Sequence, residues 1–305
     1  MKRILCIQLP NWSIERLRAA RPELKKRPLV LRSATGGVER VFACSHEAAA
    51  LGVLRRQPIA EVMGLNATGD RSPSRVLTVL PHEPDADRAA LLQWAERCGR
   101  FSPLVGVDDS PQPDSLLMDI TATARLFGGE EALAQEALAG FRDARLQVRM
   151  AIADTPAGAW AIAHFHPAFL IQRSPLLRIA PGETLGALRL LPIESLRLPE
   201  RTMTILHELG VDLIGQLVML PRKDISSRFG PELLRRLDQA VGARSETIRA
   251  VRPQPAFAAG WESEQPTRRH ETIHAAMEQV VEQLMRALTA AGPASAILVK
   301  HGQFR

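Results

Sequence analysis

The chain has 305 residues, of which 46% are hydrophobic and 24% charged, and it carries a formal net charge of +6 and no tyrosine. These proportions exclude disordered and collagen-like classes, the length predicts two or more domains, and no apolar run reaches the roughly 18 residues of a membrane-spanning helix. Three scattered cysteines exclude a disulfide scaffold or a zinc ribbon and predict a reducing, cytoplasmic compartment, and the missing tyrosine excludes any mechanism that needs a phenol.

The first half of the chain predicts a sheet whose strand order is interrupted by an insertion. The chain begins with a predicted buried strand at residues 3–9 and a helix at 11–20, followed by strands at 27–31 and 38–44. Next come a helix at 46–51 capped by Ser45, a short helix at 60–65, a strand at 76–81 and a helix at 85–101 capped by Asp85. The last predicted elements of this half are strands at 104–107 and 116–121, a helix at 130–144, a strand at 147–153, and a helix to about 165 capped by residues 154–156. The order of these elements is that of a split, ferredoxin-like sheet, in which the first strand is followed by the insertion 11–73 and then by α, β, β, α and β.

The second half predicts a helical module followed by a new α/β unit. Residues 185–245 contain leucine-rich helices that are broken by prolines, which indicates an all-helical module. A linker follows at Pro253-Gln254-Pro255. Beyond it, a helix at 272–290 with one apolar stripe and a strand at 296–300 begin the next unit.

The helical module has the pattern of a helix-hairpin-helix. Two short helices at 202–209 and 214–220 flank a glycine turn, and free backbone amides at the start of the second helix can then face a phosphate group. A second glycine turn with arginines follows at 227–236. The residues of this predicted grip on the DNA backbone are Gly210, Val211, Gly215, Arg228, Gly230, Arg235 and Arg236. The alternative is that both turns are plain connections in a helical bundle.

Positive charge is concentrated in two blocks of the sequence. Residues 1–60 contain 12 Lys and Arg against 4 Asp and Glu, residues 189–252 contain 11 against 8, and residues 61–188 contain 11 against 16. Two basic blocks predict a polyanionic partner, with nucleic acid ahead of a membrane. The alternative is an ordinary solvated basic surface.

Short motifs stand in a characteristic order along the chain. They are Leu104–Asp108, Leu117–Thr121, Arg125–Glu130, Ala151–Pro156 with Ala159–Ala161, Leu209–Val211 with Ile214-Gly215, and Arg228–Gly230 with Leu237–Ala240. Together these motifs resemble the Y-family, or translesion, DNA polymerases across almost the whole chain. Within that family the sequence is most similar to the ImuB-like, non-catalytic branch.

The resemblance implies an α+β chain with four parts. Residues 1–10 and 74–166 would form the palm, with the split ferredoxin-like sheet, and residues 11–73 the fingers insertion. Residues 167–245 would form an all-helical, helix-hairpin-helix thumb. Residues 253–305 would form an α/β little finger of which about half is missing, so we expect a truncated chain.

The resemblance also implies that the metal site has degenerated. Nucleotidyl transfer uses two Mg²⁺ ions held by carboxylates. In active relatives one of these carboxylates lies in the first strand and a pair of acids lies at the palm hairpin. In this chain Gln8 stands at the first-strand position, and Pro10 stands at the next position that is acidic in active relatives. Asp108 and Asp109 match the hairpin pair, so only half of a metal site remains. The alternative for these two residues is a polar hairpin turn.

The positions that handle the nucleotide in active relatives are changed as well. Ser13 stands at the position of an aromatic steric gate, and His46 and Ala49 stand where active relatives carry a Tyr and an Arg that grip the triphosphate. Because alanine cannot neutralise a phosphate, the resemblance implies the loss of this grip.

Three functions follow as hypotheses. The first is a catalytically inactive, DNA-binding adaptor in SOS-induced translesion synthesis, without a metal or another cofactor, which works with a C-family error-prone polymerase, an ImuA-like protein and the sliding clamp. The second is an active translesion polymerase with a rearranged Mg²⁺ site. The third is a DNA-binding module with no role in repair.

Overall fold

The chain divides into two units, which comprise Met1–Val251 and residues 252–305. A computed structural model describes residues 2–65, 76–167, 174–251, 259–261 and 269–290. The predicted linker at 253–255 and the predicted strand at 296–300 lie outside the described residues. Within the described ranges, no helix is both long and apolar enough to cross a membrane.

The first unit contains all the described strands and most of the helices. Its strands are β1 Ile4–Gln8, β2 Leu29–Thr35, β3 Val38–Cys44, β4 Thr78–Pro81, β5 Val105–Val107, β6 Ser115–Asp119, β7 Arg149–Ala153 and β8 Leu176–Arg178. The helices are α1 Trp12–Ala20, α2 His46–Ala50, α3 Ile59–Leu65, α4 Pro84–Cys98, α5 Glu130–Asp143, α6 Pro156–Phe165, α7 Thr184–Leu188, α8 Glu200–Glu208, α9 Ile214–Met219, α10 Arg222–Phe229 and α11 Pro231–Val241, with 3₁₀ turns at Pro22–Leu24, Ala124–Phe127 and Ile193–Leu196. In the second unit, helix α12 spans His270–Ala290, as predicted.

A five-stranded sheet in the order β5-β6-β1-β7-β8 forms the centre of the first unit. Strand β1 pairs antiparallel with both β6 and β7, and helices α4 and α5 connect the strands in the predicted βαββαβ order. Strand β8 pairs in parallel with β7 and extends the sheet by a fifth strand. The expectation that residues 167–245 are all-helical is therefore wrong for Leu176–Arg178, whose three residues are too few to carry a strand pattern in the sequence.

Every residue of β1 is buried because both faces of the sheet are covered. Since side chains alternate along a strand, Ile4 and Cys6 face the core formed with α6 and the later helices, while Leu5 and Ile7 face the core formed with α4 and α5. The continuous apolar run in the sequence reflects this burial on two sides.

A second sheet, in the order β3-β2-β4, is built mainly from the insertion. Its third strand, β4, pairs in parallel with β2 between Leu29–Arg32 and Thr78–Pro81. The predicted boundary after residue 73 assigned this strand to the palm, and it is wrong for β4, whose backbone pairs with the smaller sheet. The error arises because the segment 66–75 separates β4 from the rest of the insertion in sequence, whereas backbone pairing joins them in space.

A strap at residues 246–251 lies along the outer strand of the larger sheet. The Val251 amide donates a 2.7 Å hydrogen bond to the Val105 carbonyl oxygen, and Ile248 is buried in the core shared with α6. The strap comes so close to β5 that a Cβ atom on Gly106 would lie 2.4 Å from the Arg249 carbonyl oxygen. Only glycine fits at position 106 without moving the strap.

We predict that Gly106→Ala lowers the free energy of unfolding by about 1–3 kcal/mol, because the added methyl group collides with backbone of the strap. The matched control is Gly140→Ala in α5, where the added Cβ meets open space. That change should leave stability unchanged or raise it by up to about 1 kcal/mol, since alanine is the better helix former. Equal midpoints for the two variants in urea unfolding would contradict the close packing of the strap.

Candidate functional site

The residues predicted to correspond to metal ligands meet at one end of the larger sheet. Gln8 ends β1 and is opposite Ser115 of β6, while Asp108 and Asp109 follow β5, the next strand but one. The Asp108 amide donates to the Ser115 carbonyl oxygen at 3.1 Å, which extends the β5–β6 pairing to the start of the loop. The structure therefore brings Gln8 and the two acids into one neighbourhood, as the sequence predicted.

The Asp108 carboxylate closes its own hairpin loop. Asp108 is buried, with only 2% of the residue exposed. It accepts hydrogen bonds from the Ser110 amide at 2.9 Å, the Asp114 amide at 3.1 Å, and both the amide and the hydroxyl of Ser115 at 3.0 and 2.9 Å. Three of these donors contact Oδ2 and one contacts Oδ1, so a metal ion would have to compete with hydrogen bonds of the loop for this carboxylate. The alternative of a polar hairpin turn is the one that the structure supports for Asp108.

Asp109 is paired with arginines instead. Its Oδ1 atom lies 2.5 Å from Nη1 of Arg197, and its Oδ2 atom lies 3.7 Å from Nη1 of Arg236. The Arg197 guanidinium also contacts Glu246 at 3.3 Å and sits over the Trp160 ring, 4.8 Å from its centroid. Two guanidinium groups thus provide the positive charge that a metal ion would otherwise bring to this carboxylate.

A third acid, Asp114, completes this end of the sheet. Its carboxylate accepts from the Gln8 side-chain amide at 3.2 Å and contacts His164 Nε2 at 2.8 Å. The other ring nitrogen of His164 contacts the Trp160 carbonyl oxygen at 2.7 Å. Sequence reasoning missed Asp114, because its Asp- and Pro-rich surroundings indicated only a loop.

This donor set does not fit a two-metal centre. Mg²⁺ requires several oxygen ligands in octahedral arrangement, and two-metal catalysis requires carboxylates that bridge the ions. Here one carboxylate accepts four hydrogen bonds from its own loop, one is paired with arginines, and the first strand offers an amide. In the part of the chain that the structure describes, no group of three His, Cys, Asp or Glu side chains could hold a metal ion.

The predicted gate position is also engaged. The Ser13 hydroxyl donates to the carboxylate of Asp87, which is buried and also contacts Arg16 and His82. Asp87 joins α1 to α4 and was missed because the sequence favoured Asp85 as the helix cap; α4 instead begins at Pro84, with Glu83 as the N-cap residue. Ser13 lines a cleft of about 190 Å³ between the two sheets.

The two positions matched to the triphosphate grip lie at the surface. His46 and Ala49 are both exposed on α2, whose N-cap is Ser45, as predicted. The Ser45 side chain accepts a hydrogen bond from the Ala48 amide at 3.3 Å. Pro10 follows β1 at the same end of the sheet as Gln8 and has no side-chain group that could bind a metal.

Helices α8 and α9 flank a glycine turn at the position of the predicted hairpin, but the backbone amides there are not free. Gly210 adopts a left-handed conformation with φ of +72°, so the expected glycine turn is confirmed, and Val211 is buried behind it. However, the Ile214 amide donates to the Leu191 carbonyl oxygen at 2.9 Å, and the Gly215 amide donates to the Arg189 carbonyl oxygen at 3.1 Å. The expectation that amides at the start of this helix are available to a phosphate is therefore wrong for Gly215, because a neighbouring loop already accepts them.

The arginines of the second turn differ in their availability. Arg235 donates to Glu232 and Gln239; the hydrogen bond to Glu232 raises the pKa of Arg235 above its ordinary value. Arg236 contacts Glu232 as well as Asp109. Arg228, one residue before the end of α10, is exposed, and none of the described residues forms an ion pair with it. The turn that follows uses Gly230, at φ of +75°.

Comparison with known proteins gives consistent matches. Residues 11–164 match the model of the impB/mucB/samB family. Over 177 residues the chain is 40% identical to Protein ImuB from two strains of Caulobacter vibrioides, a match that covers 58% of this chain and 36% of the relative. The aligned region therefore spans about a third of the length of these relatives.

Solved structures match over more of the chain. A post-insertion binary complex of Dbh DNA polymerase gives a TM-score of 0.60 at 17% identity and covers 94% of this chain and 80% of its own. DinB from Sulfolobus solfataricus gives 0.60 at 18% identity, with 93% and 80% covered. At these identities the likeness establishes a shared α+β fold.

We predict that Asp108→Ala lowers the free energy of unfolding by about 2–4 kcal/mol, because buried amides of the loop lose their acceptor. Asp143→Ala at the exposed end of α5 is the control and should change stability by less than about 0.5 kcal/mol. Chemical denaturation measures both. An unchanged midpoint for Asp108→Ala would mean that this carboxylate does not hold the hairpin.

Proposed function

The chain belongs to the impB/mucB/samB family of Y-family polymerase-like proteins, and from that premise we propose that it is a non-catalytic DNA-binding member that acts as an adaptor in SOS-induced translesion synthesis and mutagenesis. The observation that carries the proposal is the state of the former metal site. Gln8 supplies no carboxylate, the Asp108 carboxylate accepts four hydrogen bonds from its own loop, and the Asp109 carboxylate forms an ion pair with Arg197. A palm in this state has nothing with which to bridge two metal ions.

The parts of the chain are assigned on the same premise. The five-stranded sheet with α4 and α5 corresponds to the palm, the three-stranded sheet with α2 and α3 to the fingers, and helices α7–α11 to the thumb. Helix α12 belongs to the little finger. The likeness in fold to Y-family polymerases supports this assignment.

DNA binding is proposed to depend on side chains rather than on backbone amides. The amides of the first hairpin are bonded within the protein, so the exposed Arg228 at the end of α10 is the candidate for a phosphate contact. The basic blocks at 1–60 and 189–252 supply further positive charge. Contacts of this kind position a protein on DNA without reading its sequence.

The partners of the adaptor are proposed from the similarity to Protein ImuB. They are a C-family error-prone polymerase, an ImuA-like protein and the sliding clamp. An adaptor with these partners would hold primer-template DNA at a lesion while another subunit extends the primer.

We predict no nucleotide incorporation by the purified chain on primed templates, damaged or undamaged, with Mg²⁺ or Mn²⁺. The physical reason is the absence of a carboxylate set for two metals. An active Y-family polymerase on the same templates is the positive control. Extension by this chain that disappears in Asp109→Ala would contradict the proposal and favour an active polymerase with a rearranged metal site.

We predict that the chain binds primer-template DNA with little sequence preference and with an affinity that falls steeply as salt rises, because condensed counterions are released on binding. Arg228→Ala should weaken binding to all sequences several-fold and reduce the salt dependence by about one counterion. Arg125→Ala is the control, since Arg125 is exposed beyond β6, at the opposite end of the sheet from Gln8. Fluorescence anisotropy across a salt series measures both, and equal losses for the two variants would contradict the assignment of Arg228.

A further inference from the structure

Arg197 is held on several sides at the former metal site. Its side chain is 11% exposed, and the two ends of its guanidinium contact different acids, Asp109 through Nη1 and Glu246 through Nη2. The face of the same group lies over the indole of Trp160 in α6. A planar guanidinium is suited to this role because it presents donors in a fixed fork and stacks on an aromatic ring.

The backbone at Arg197 indicates that this placement is under strain. Arg197 follows the 3₁₀ turn Ile193–Leu196 in a left-handed conformation, with φ of 55° and ψ of 43°. A residue with a Cβ adopts this conformation at an energetic cost that surrounding contacts must offset. The contacts that offset it here are the three made by its own side chain.

These contacts tie together segments that are far apart in sequence. Asp109 belongs to the loop after β5, Arg197 to the connection before α8, and Glu246 to the strap along the sheet edge. Arg236 of α11 reaches the second oxygen of Asp109 at 3.7 Å. The helices of the module and the strap are thereby linked through charge to the end of the five-stranded sheet.

We propose that Asp109 and Arg197, with Glu246 and Arg236, form an ion-pair clasp in which Arg197 is the positioning residue that holds both the strap and the helical module against the sheet. The clasp occupies the place where the resemblance puts a metal ligand, and it gives the remaining acid a structural role. The holding of the strap stands without the proposed function. Only its consequence for DNA, that a fixed helical module presents Arg228 to the backbone, rests on that function.

Removing one partner from a pairing of this kind costs more than breaking an ordinary surface ion pair, because the other charge is left buried without compensation. Arg197 and Glu246 are each about nine-tenths buried at their side chains, so water screens their attraction only weakly. Asp109 is 54% exposed and can be changed without opening a cavity in the core. It is therefore the safest point at which to weaken the clasp.

The test is hydrogen exchange, followed by mass spectrometry, on the full chain. In Asp109→Asn and in Arg197→Ala, the Val251 amide, which donates to the Val105 carbonyl oxygen, should exchange about tenfold faster, because the strap opens more often. The amides of β2 and β3 should be unchanged. The double variant should exchange more slowly than the two single accelerations multiplied together would give, since both changes remove the Asp109–Arg197 contact and Asp109→Asn additionally weakens only the contact with Arg236. Arg197→Lys, which keeps the charge but lacks the fork, should fall between the wild type and Arg197→Ala.

The matched control is Arg145→Ala. Arg145 is an exposed arginine that, like Arg197, adopts a left-handed conformation, with φ of 58°, and it lies outside the clasp. Unchanged exchange at the strap in both Asp109→Asn and Arg197→Ala would overturn the proposal. So would an equal acceleration in Arg145→Ala.

A DNA-binding measurement on the same variants separates the two proposals. If strap exchange is faster in Asp109→Asn and Arg197→Ala but the wild-type chain binds no DNA, the clasp is supported and the adaptor proposal is contradicted. Unchanged strap exchange, together with loss of a metal-dependent extension in Asp109→Asn, would overturn both.

Discussion

Two adjacent carboxylates at the end of a sheet must each be neutralised, and the way in which this happens determines the rest of the site. A buried ionised carboxylate is costly unless hydrogen bonds or a cation compensate it. Asp108 obtains its compensation from four donors of its own hairpin, and Asp109 obtains it from Arg197 and Arg236. The site therefore combines an α+β fold like that of the Y-family structures with hydrogen bonds and ion pairs among its own residues.

Local features of this fold could be predicted from the sequence. The run of apolar residues at β1 indicated a buried strand, which the structure covers on both faces, and Thr155 was recognised within the cap of α6, where its hydroxyl accepts from the Gly158 amide at 2.9 Å. The turn at Gly210 followed from the conformational freedom of glycine. In each case the decisive interaction joins residues within a few positions of one another, or depends on a periodic pattern in one segment.

The features that sequence reasoning missed depend on contacts across long separations. Asp109 and Arg197 are 88 residues apart, and Ser13 and Asp87 are 74 apart, so no local pattern marks either pair. Strand β4 joins the smaller sheet only through backbone pairing with β2, to which residue identity contributes little. The resemblance to Y-family polymerases predicts which positions differ from those of active relatives, but not which residues contact those positions in this chain.

The bonded amides of the first hairpin bear on how this chain can hold DNA. A helix start that faces a phosphate with free amides gives a contact of fixed geometry, whereas the amides of Ile214 and Gly215 are already spent on Leu191 and Arg189. Electrostatic attraction by exposed arginines is less geometric, is sensitive to salt and is indifferent to sequence. That kind of grip would suit the proposed adaptor, which would meet distorted DNA at many kinds of lesion, and it needs the arginine-bearing helices to be fixed in place, which is the role that the clasp at Asp109 and Arg197 would perform.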